Sequence, residues 1–347
     1  MLSLKSSKGT TKKTSTASTE RGFIMGRRKF YVTVDTETCT LPFANYLCKN
    51  AKEKQKIAIA KPLVYDLGWV VTDTQGNIIK KRNYLIQEIF FVPNVFNTAY
   101  YKDKRPIYMK LLEDDLIQVA TWNEAIEELI ADMEYCDMVC AYNACFDFKK
   151  AIPFTEQYIQ HLYSNDYTIW EERQKERCKQ IIRGTDESEN PDYLEPHFFL
   201  RNIEFPLCDL WGIACERLIN IDKYRNYCLE NSLITASAFY FKSSAETSFQ
   251  YIMNKYDFIE DHTALSDAEI ESQILAKALK KGKIEPSIKP FPFRELGTTV
   301  DYVRAKKPKY KPIVRQAFAD YIESNDGELK AERSNYWRRV LKAYDSL

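Results

Sequence analysis

The sequence predicts an α/β fold, a mixed β-sheet flanked by helices, on the basis of three observations. The run from Phe30 to Glu37 alternates in polarity as a strand does. Residues 63–71 and a following segment that ends near Ile86 form a predicted antiparallel hairpin around a Gly-Asn turn. An amphipathic helix from Trp122 then leads into another short apolar strand. With 45% hydrophobic residues in 347, the chain can bury a substantial core.

The first predicted strand ends in two carboxylates on one face. Alternate side chains of a strand point to opposite faces, so Asp35 and Glu37 project together while Phe30, Val32 and Val34 point into a core. Two neighbouring acids repel each other unless a cation lies between them, and carboxylate oxygens are the ligands that Mg²⁺ and Mn²⁺ prefer. The pair therefore indicates half of a metal site, and the alternative is a solvated structural pair.

The helix predicted after the hairpin has a defined start. Thr121 and Glu124 form a capping-box pattern. Apolar residues then recur at helical spacing, at Trp122, Ala125, Ile126, Leu129, Ile130 and Met133. Residues 138–142 form the next predicted strand and residues 207–210 a further one. Strands and helices that alternate after an antiparallel hairpin make the predicted sheet a mixed one.

A third acid precedes a regular helix late in the chain. From Asp267 the apolar residues recur at the spacing of one helix face, at Ile270, Ile274, Leu275 and Ala278. Ser266 and Glu269 match a capping box, which predicts that the helix begins where Asp267 stands. The alternative is that Asp267 simply favours the positive end of a helix.

Composition and motifs exclude several classes of protein. No apolar run approaches the roughly 18 residues of a membrane span, and no hydrophobic N-terminal stretch indicates export. Nine cysteines without a Cys-x-x-Cys pair indicate reduced thiols, so we expect a cytoplasmic protein with no membrane partner. The chain also lacks a nucleophile motif with a matched histidine, a Gly-rich phosphate loop and a nicotinamide fingerprint.

The charges divide the chain into an acidic body and basic ends. Residues 1–29 carry a net charge of +7 and residues 281–347 carry +6, within a total of +1 for the whole chain. The basic ends either contact phosphates or act as soluble tails. We therefore expect a disordered basic tail at 1–28, a central domain at 29–281 and a basic C-terminal extension at 282–347.

Two segments carry basic residues in a distinctive context. From Arg304 to Arg315 no acid interrupts the basic residues, and Pro308 and Pro312 favour an extended arm over a helix. Residues 87–120 interleave Phe and Tyr with basic side chains, a pattern that base-stacking surfaces share. For this second segment, a local packing cluster is the interpretation that we favour.

Three blocks of the sequence together resemble the motifs of the DEDDh 3′-5′ exonucleases, the family of the DNA polymerase III epsilon subunit, ribonuclease T and oligoribonuclease. The blocks are the strand that bears Asp35 and Glu37, the run Asn143-x-x-Phe146-Asp147, and His262 five residues before Asp267. The resemblance covers about residues 29–281. It implies a ribonuclease H-like fold, with residues 87–120 and 153–206 as insertions.

The resemblance also implies a role for each motif residue. Two Mg²⁺ or Mn²⁺ ions would be held by four carboxylates, those of Asp35, Glu37, Asp147 and Asp267. His262 would be the general base that deprotonates the attacking water. Contacts to the 3′-terminal nucleotide are implied for Thr38 and Leu41. Asn143 and Phe146 match the second motif as further substrate-binding residues, and for Phe146 the alternatives are stacking on a base and packing in the core.

This chain departs from the family pattern at two points. The family continues the first motif with Thr-Gly, whereas this chain has Cys39-Thr40, and without that glycine close backbone approach to the terminal base is in doubt. Pro153 is expected to interrupt the helix that follows Asp147. Neither departure replaces a predicted metal ligand.

The sequence therefore predicts a metal-dependent 3′-5′ exonuclease that releases nucleoside monophosphates from single-stranded 3′ ends, with DNA favoured over RNA as substrate. An RNA-trimming exoribonuclease is one alternative. A non-catalytic nucleic-acid-binding or polymerase-associated module is another. The chain has no polymerase-sized region, so any polymerase or replication partner would be a separate chain.

Overall fold

The computed structural model describes residues 29–185 and 194–324, together with Lys342, Asp345 and Ser346. Within these residues the strands are β1 (Phe30–Thr40), β2 (Pro62–Asp73), β3 (Ile78–Ile86), β4 (Gln118–Ala120), β5 (Met138–Ala141), β6 (His197–Leu200) and β7 (Ile203–Asp209). They form a seven-stranded sheet in the order β4-β3-β2-β1-β5-β7-β6. The predicted tail at residues 1–28 lies outside the described residues.

The sheet is mixed, as predicted. β2 pairs antiparallel with both β1 and β3, which confirms the predicted hairpin, and Gly76 takes a left-handed φ of 85° in its turn. β5 runs parallel to β1, and β7 runs parallel to β5. β4 adds to β3 in parallel and β6 closes the other edge antiparallel to β7. β1 is therefore the point where the antiparallel and parallel halves of the sheet meet.

Helices flank this sheet. In chain order, the described helices are α1 (Ala44–Leu47), α2 (Ala51–Ala60), α3 (Gln87–Phe90), α4 (Pro93–Phe96), α5 (Arg105–Glu113), α6 (Trp122–Tyr135), α7 (Ala144–Phe146), α8 (Ile152–Leu162), α9 (Tyr167–Arg183), α10 (Leu210–Ile213), α11 (Asp222–Glu230), α12 (Ala245–Met253), α13 (Ala264–Leu279), α14 (Thr299–Ala305) and α15 (Lys311–Ser324). Short 3-10 turns occupy Lys102–Lys104, Pro292–Leu296 and Pro308–Tyr310, and π-helical turns occupy Asp147–Ala151 and Ala214–Leu218.

The main core lies on the face of β1 opposite the side chains of Asp35 and Glu37. Val32 and Val34 are fully buried there together with the apolar face of α6, as the alternation predicted. The capping box at the start of α6 is confirmed, because Thr121 and Glu124 each satisfy the backbone N–H of the other. Residues 87–120 contribute buried rings to the same core, including Phe90, Phe96 and Tyr108, which confirms the packing interpretation for these side chains.

Helix α13 begins three residues earlier than predicted. Its first residue is Ala264, so the capping box expected at Ser266 and Glu269 is wrong. The cap comes instead from β2, where the Asp66 carboxylate accepts the Ala264 N–H at 2.9 Å. Gly68, which pairs with Asp35 across the β1–β2 ladder, leaves room for the start of the helix beside it.

Within residues 299–324 the C-terminal extension is helical and its apolar side chains are buried, so the prediction of an extended arm is wrong. Pro308 opens a 3-10 turn and Pro312 is the second residue of α15, positions where proline's missing N–H breaks no helical bond. Apolar residues of α14 and α15, among them Val303 and Phe318, share a second core cluster with α11. Residues 299–324 are therefore part of a packed unit with the chain around α11.

The segment after Asp147 also tolerates its proline. A π-helical turn over Asp147–Ala151 precedes α8, and Pro153 occupies the first turn of that helix. The expected interruption is thus confined to a change of helical winding. Residues 153–185 contribute most of α8 and all of α9, and Trp170 of α9 is buried against α8 through Phe154 and Tyr158.

Among the helices of residues 29–185 and 194–324, none combines the length and apolar character that crossing a membrane requires.

Gly68→Ala is expected to lower the free energy of unfolding by about 1–3 kcal/mol, the usual range for overpacking. A Cβ at this position would lie 2.3 Å from the Leu265 nitrogen and 2.4 Å from the Ala264 carbonyl carbon, so the start of α13 must move. Urea denaturation measures the change. Gly212→Ala is the matched control, because its Cβ would meet only Lys289 side-chain atoms, at 3.6 Å or more. Equal stability of the two variants would contradict the proposed close docking of α13.

Candidate metal centre

Four acids from three distant segments of the chain meet beside β1. Asp35 and Glu37 come from β1 itself, Asp147 from the π-helical turn after β5, and Asp267 from the first turn of α13. Burial raises the pKa of Asp35 well above its usual range, and the charges of Asp267, Asp147 and Glu37 raise it further, after that of Glu271. The fold therefore brings together all four carboxylates that the sequence analysis singled out.

Asp147 is held against the first strand. Its Oδ1 accepts a 2.6 Å hydrogen bond from the Thr36 hydroxyl, and its side chain is buried. Burial raises the pKa of Asp147 to about 7, although the Thr36 bond acts in the opposite direction. Thr36 lies between Asp35 and Glu37 in sequence, so the two acids and the segment after β5 are fixed to one another.

Glu37, His262 and Asp267 offer a set of metal-ligand atoms within 4.8 Å of one another. Asp267 Oδ1 is buried and has no hydrogen-bond partner among the described residues. Burial, followed by the charges of Glu260 and Asp66, raises the pKa of Asp267 to about 8. A buried carboxylate oxygen without a donor is costly, and a divalent cation would satisfy it and offset the repulsion between the acids. The residues present therefore fit Mg²⁺ or Mn²⁺.

His262 lies at the edge of this cluster in a strained backbone conformation. Its φ is 52°, in the left-handed region, and Nδ1 lies 3.4 Å from Glu260 Oε2 and 3.9 Å from Asp267 Oδ2. The imidazole stacks on Tyr101 with ring centroids 4.6 Å apart. Burial lowers the pKa of His262, and the nearby Lys104 ammonium lowers it further, which favours the neutral imidazole.

Part of residues 87–120, the stretch from Tyr101 to Lys104, contacts the candidate site. Lys104 donates to the backbone oxygen of Asp261 and lies over the Tyr101 ring. Its charge lowers the pKa of Glu37 and Asp267, against the larger effect of burial on both. The sequence analysis noted the Lys and Tyr pattern of this segment, but no sequence spacing connects Tyr101 with His262.

Several further acids at the site were missed from the sequence. Glu271 is buried one turn after Asp267 and accepts the Tyr142 N–H at 3.0 Å, and burial raises its pKa well above the usual range. The four-residue spacing from Asp267 was the available signal, since it places both carboxylates on one helix face. Glu260 and Asp66 have raised pKa values of about 7 and about 6, both mainly through burial, and carry no motif signal.

The four residues expected to contact a nucleotide occupy different environments. Thr38 is half-buried just after a β-bulge that follows Glu37, a feature that redirects side chains at strand ends. Leu41 is fully buried in the main core, so the structure gives it a packing role. Asn143 is exposed, with a left-handed φ of 67° and its N–H donated to Asp209. Phe146 is half-buried and packs against the main core.

No family model matches the chain, and neither the curated proteins nor the solved structures contain a match. The site is therefore interpreted from its own residues.

In the metal-free protein, the raised pKa values predict that stability falls between pH 5 and pH 8. Unfolded carboxyls titrate near about 4. Asp147 and Asp267 keep their protons in the folded state up to pKa values of about 7 and about 8, so their stabilising contribution is complete below about pH 4 and lost as pH rises through the folded values. Thermal melts in EDTA should show a fall in Tm of several degrees, since about 1 kcal/mol corresponds to about 2–4 °C.

Mg²⁺ should reverse this loss, and it should raise Tm more at pH 8 than at pH 5, because it binds the ionised carboxylates. Asp267→Asn should flatten the pH dependence, whereas Asp103→Asn, at an exposed position outside the cluster, should not. A Tm in EDTA that is constant or rises over this range would contradict the raised pKa values.

Proposed function

We propose that the protein is a metal-dependent 3′-5′ exonuclease that cleaves phosphodiester bonds at single-stranded nucleic-acid ends, with DNA preferred over RNA. The observation that carries the proposal is the meeting of Asp35, Glu37, Asp147 and Asp267 beside β1, with one carboxylate oxygen, Asp267 Oδ1, buried and without a hydrogen-bond partner among the described residues. The strand order, with β2 antiparallel and β5 parallel to β1, supports the finer proposal of a ribonuclease H-like fold.

In this proposal the four carboxylates would hold two divalent cations, and Glu37 and Asp267 offer the ligand atoms that lie within 4.8 Å of one another. When bound, such cations position the scissile phosphate and stabilise the charge that develops on its oxygens. The Thr36 hydroxyl donates to the Asp147 carboxylate and so holds that carboxylate against β1, beside Asp35 and Glu37. The left-handed backbone at His262 and the ring of Tyr101 hold the imidazole beside Asp267.

His262 is assigned as the general base. Nδ1 is the ring nitrogen that lies towards Glu260 and Asp267, and we assign it to accept the proton of the attacking water. Its lowered pKa keeps the imidazole neutral, and therefore able to accept a proton, at pH values below those at which an ordinary histidine becomes neutral. Glu260, whose Oε2 lies 3.4 Å from Nδ1, would then stabilise the imidazolium that forms.

The first test uses purified protein with 5′-labelled single-stranded DNA and RNA of one sequence, resolved on a denaturing gel. We expect a ladder shortened from the 3′ end in Mg²⁺ and none in EDTA. Asp147→Asn should reduce turnover by at least about 10³-fold while the protein remains folded by circular dichroism. Asp166→Asn, an exposed acid in the turn before α9, is the matched control and should retain turnover.

Each outcome of this test decides between functions. Faster degradation of RNA would select the exoribonuclease alternative, and full activity in excess EDTA would contradict the cation site. Tight binding of either strand without hydrolysis, in every metal tried, would select the non-catalytic binding module.

A second test separates His262 from the metal ligands. A general base contributes about 10²- to 10⁴-fold, so His262→Ala should reduce turnover by that order, while the rise of Tm on addition of Mg²⁺ stays near that of the unmodified protein. If His262 is instead a ligand, as its place among the close ligand atoms permits, the Tm response to Mg²⁺ should fall as far as in Asp267→Asn. Near-normal turnover would remove His262 from the mechanism.

A further inference from the structure

A cavity of about 720 Å³ lies at the end of α13 away from the carboxylates. It is bordered by α11, by the last turn of α12 and by the last turn of α13. Four of its lining residues are lysines, Lys223, Lys277, Lys280 and Lys281. None of the four forms an ion pair with an acid in the described part of the chain.

Tyrosine rings form the other part of this lining. Tyr227, Tyr251 and Tyr256 border the cavity, and Tyr227 contacts the other two rings with centroids 5.4 Å and 5.2 Å away. Tyr256 is 54% exposed, so one face of the cluster is open to a ligand. The lining also contains Glu230, whose carboxylate accepts a hydrogen bond from the Tyr310 hydroxyl. The cavity therefore combines unpaired ammonium groups with an exposed aromatic ring.

Lysines interleaved with aromatic rings match the chemistry of a single-stranded nucleic acid, whose phosphates attract the ammonium groups and whose bases stack on rings. The combination favours the nucleic acid.

Helix α12 connects this cavity with the candidate site. At its start, Glu246 accepts the Glu260 N–H at 3.2 Å, two residues before His262. A second cavity, of about 580 Å³, lies at this end of α12 and is bordered by Asn143 and the Trp211 and Phe293 rings. At its other end, Tyr251 and Asn254 line the lysine cavity. The two cavities thus lie at opposite ends of one helix, and the nearer one adjoins the second acid-bearing motif.

The separation of the lysine cavity from the carboxylates suits a single strand whose bases are stacked. From Asp267 to Lys280 helix α13 rises about 20 Å, at about 1.5 Å per residue. Stacked nucleotides advance about 3.4 Å each, so about six nucleotides span this distance. A di- or trinucleotide bound at the carboxylates would not reach the lysines.

We propose that the cavity lined by Lys223, Lys277, Lys280, Lys281 and the three tyrosines binds the phosphates and a base of the same nucleic-acid strand, about six nucleotides from the 3′ end that occupies the carboxylates. The inference rests on the proposed exonuclease function, because that function places the 3′ end of the strand at the carboxylates. It adds a length-dependent binding site that the three motifs do not contain. It makes oligonucleotides longer than about six nucleotides the preferred substrates.

The test compares two triple variants. The cavity variant carries Lys277→Gln, Lys280→Gln and Lys281→Gln. The control variant carries Lys→Gln at positions 29, 52 and 110, which are exposed and lie outside the cavity. Binding of 5′-fluorescein-labelled dT20 and dT3 is measured by anisotropy at several salt concentrations, in the Asp147→Asn background so that no hydrolysis occurs. Hydrolysis of both oligonucleotides is measured separately without Asp147→Asn.

We expect the cavity variant to bind dT20 at least tenfold more weakly than the control variant. The plot of the logarithm of its association constant for dT20 against the logarithm of salt concentration should also have a slope shallower by about 2. Each phosphate contact on a single strand contributes about 0.7 to this slope, and the variant removes three lysines. Its binding and hydrolysis of dT3 should match the control. Tyr256→Ala should weaken dT20 binding about fivefold or more, whereas Tyr256→Phe, which keeps the ring, should not.

Equal dT20 affinity and salt slope in the two triple variants would overturn the proposal, even if the protein degrades DNA. An equal loss of affinity for polyglutamate would overturn it too, because the cavity would then be a general surface for acidic partners. If the cavity variant loses dT20 binding but the unmodified protein hydrolyses neither oligonucleotide, the cavity stands and the exonuclease function fails.

Discussion

At the start of α13, the Ala264 N–H donates to the Asp66 carboxylate, and the backbone of Ala264 and Leu265 lies against Gly68. The Asp66 carboxylate is itself fixed, because Tyr108 and Asn83 also donate to it. This contact sets the position of Asp267, which lies in the same first turn. Because Gly68 pairs with Asp35 in the β1–β2 ladder, the same contact also sets the distance between Asp267 and Asp35, the last and the first of the four candidate ligands.

The contact lets the fold hold several acids in a small buried volume. Asp35, Glu37, Asp267 and Glu271 all have raised pKa values, mainly through burial and then through the charges of neighbouring carboxylates. Such a cluster opposes folding at neutral pH unless protons or cations neutralise it. Proteins retain costs of this kind where the charges serve a ligand. The buried oxygen of Asp267 without a donor is the most direct expression of that cost.

Local pattern was enough to predict the parts of the structure that depend on neighbours in sequence. The β2–β3 hairpin, the capping box of α6 and the alternation of β1 all follow from residues within a few positions of each other. Asp35, Glu37 and Asp267 could likewise be selected, because the strand or helix that carries each one directs its side chain. Asp147 was selected by the resemblance alone.

What depends on distant partners was not predictable in the same way. The start of α13 was misplaced because its cap is supplied from β2, 198 residues away in sequence. The prolines after Arg304 were read as helix breakers, although each lies in a first turn and the apolar residues around them pack on α11. The stacking of Tyr101 on His262 joins two loop residues whose positions only the folded chain determines.

The 198-residue separation between Asp66 and Ala264 also bears on the order in which the protein folds. Closing so long a loop costs conformational entropy before any of its contacts repay it, so we expect this contact to form late in folding. A chain in which only β1–β3 have formed does not yet hold Asp267 beside Asp35. Whatever chemistry the acids perform is thereby withheld from incomplete chains, and it becomes available only when the domain is finished.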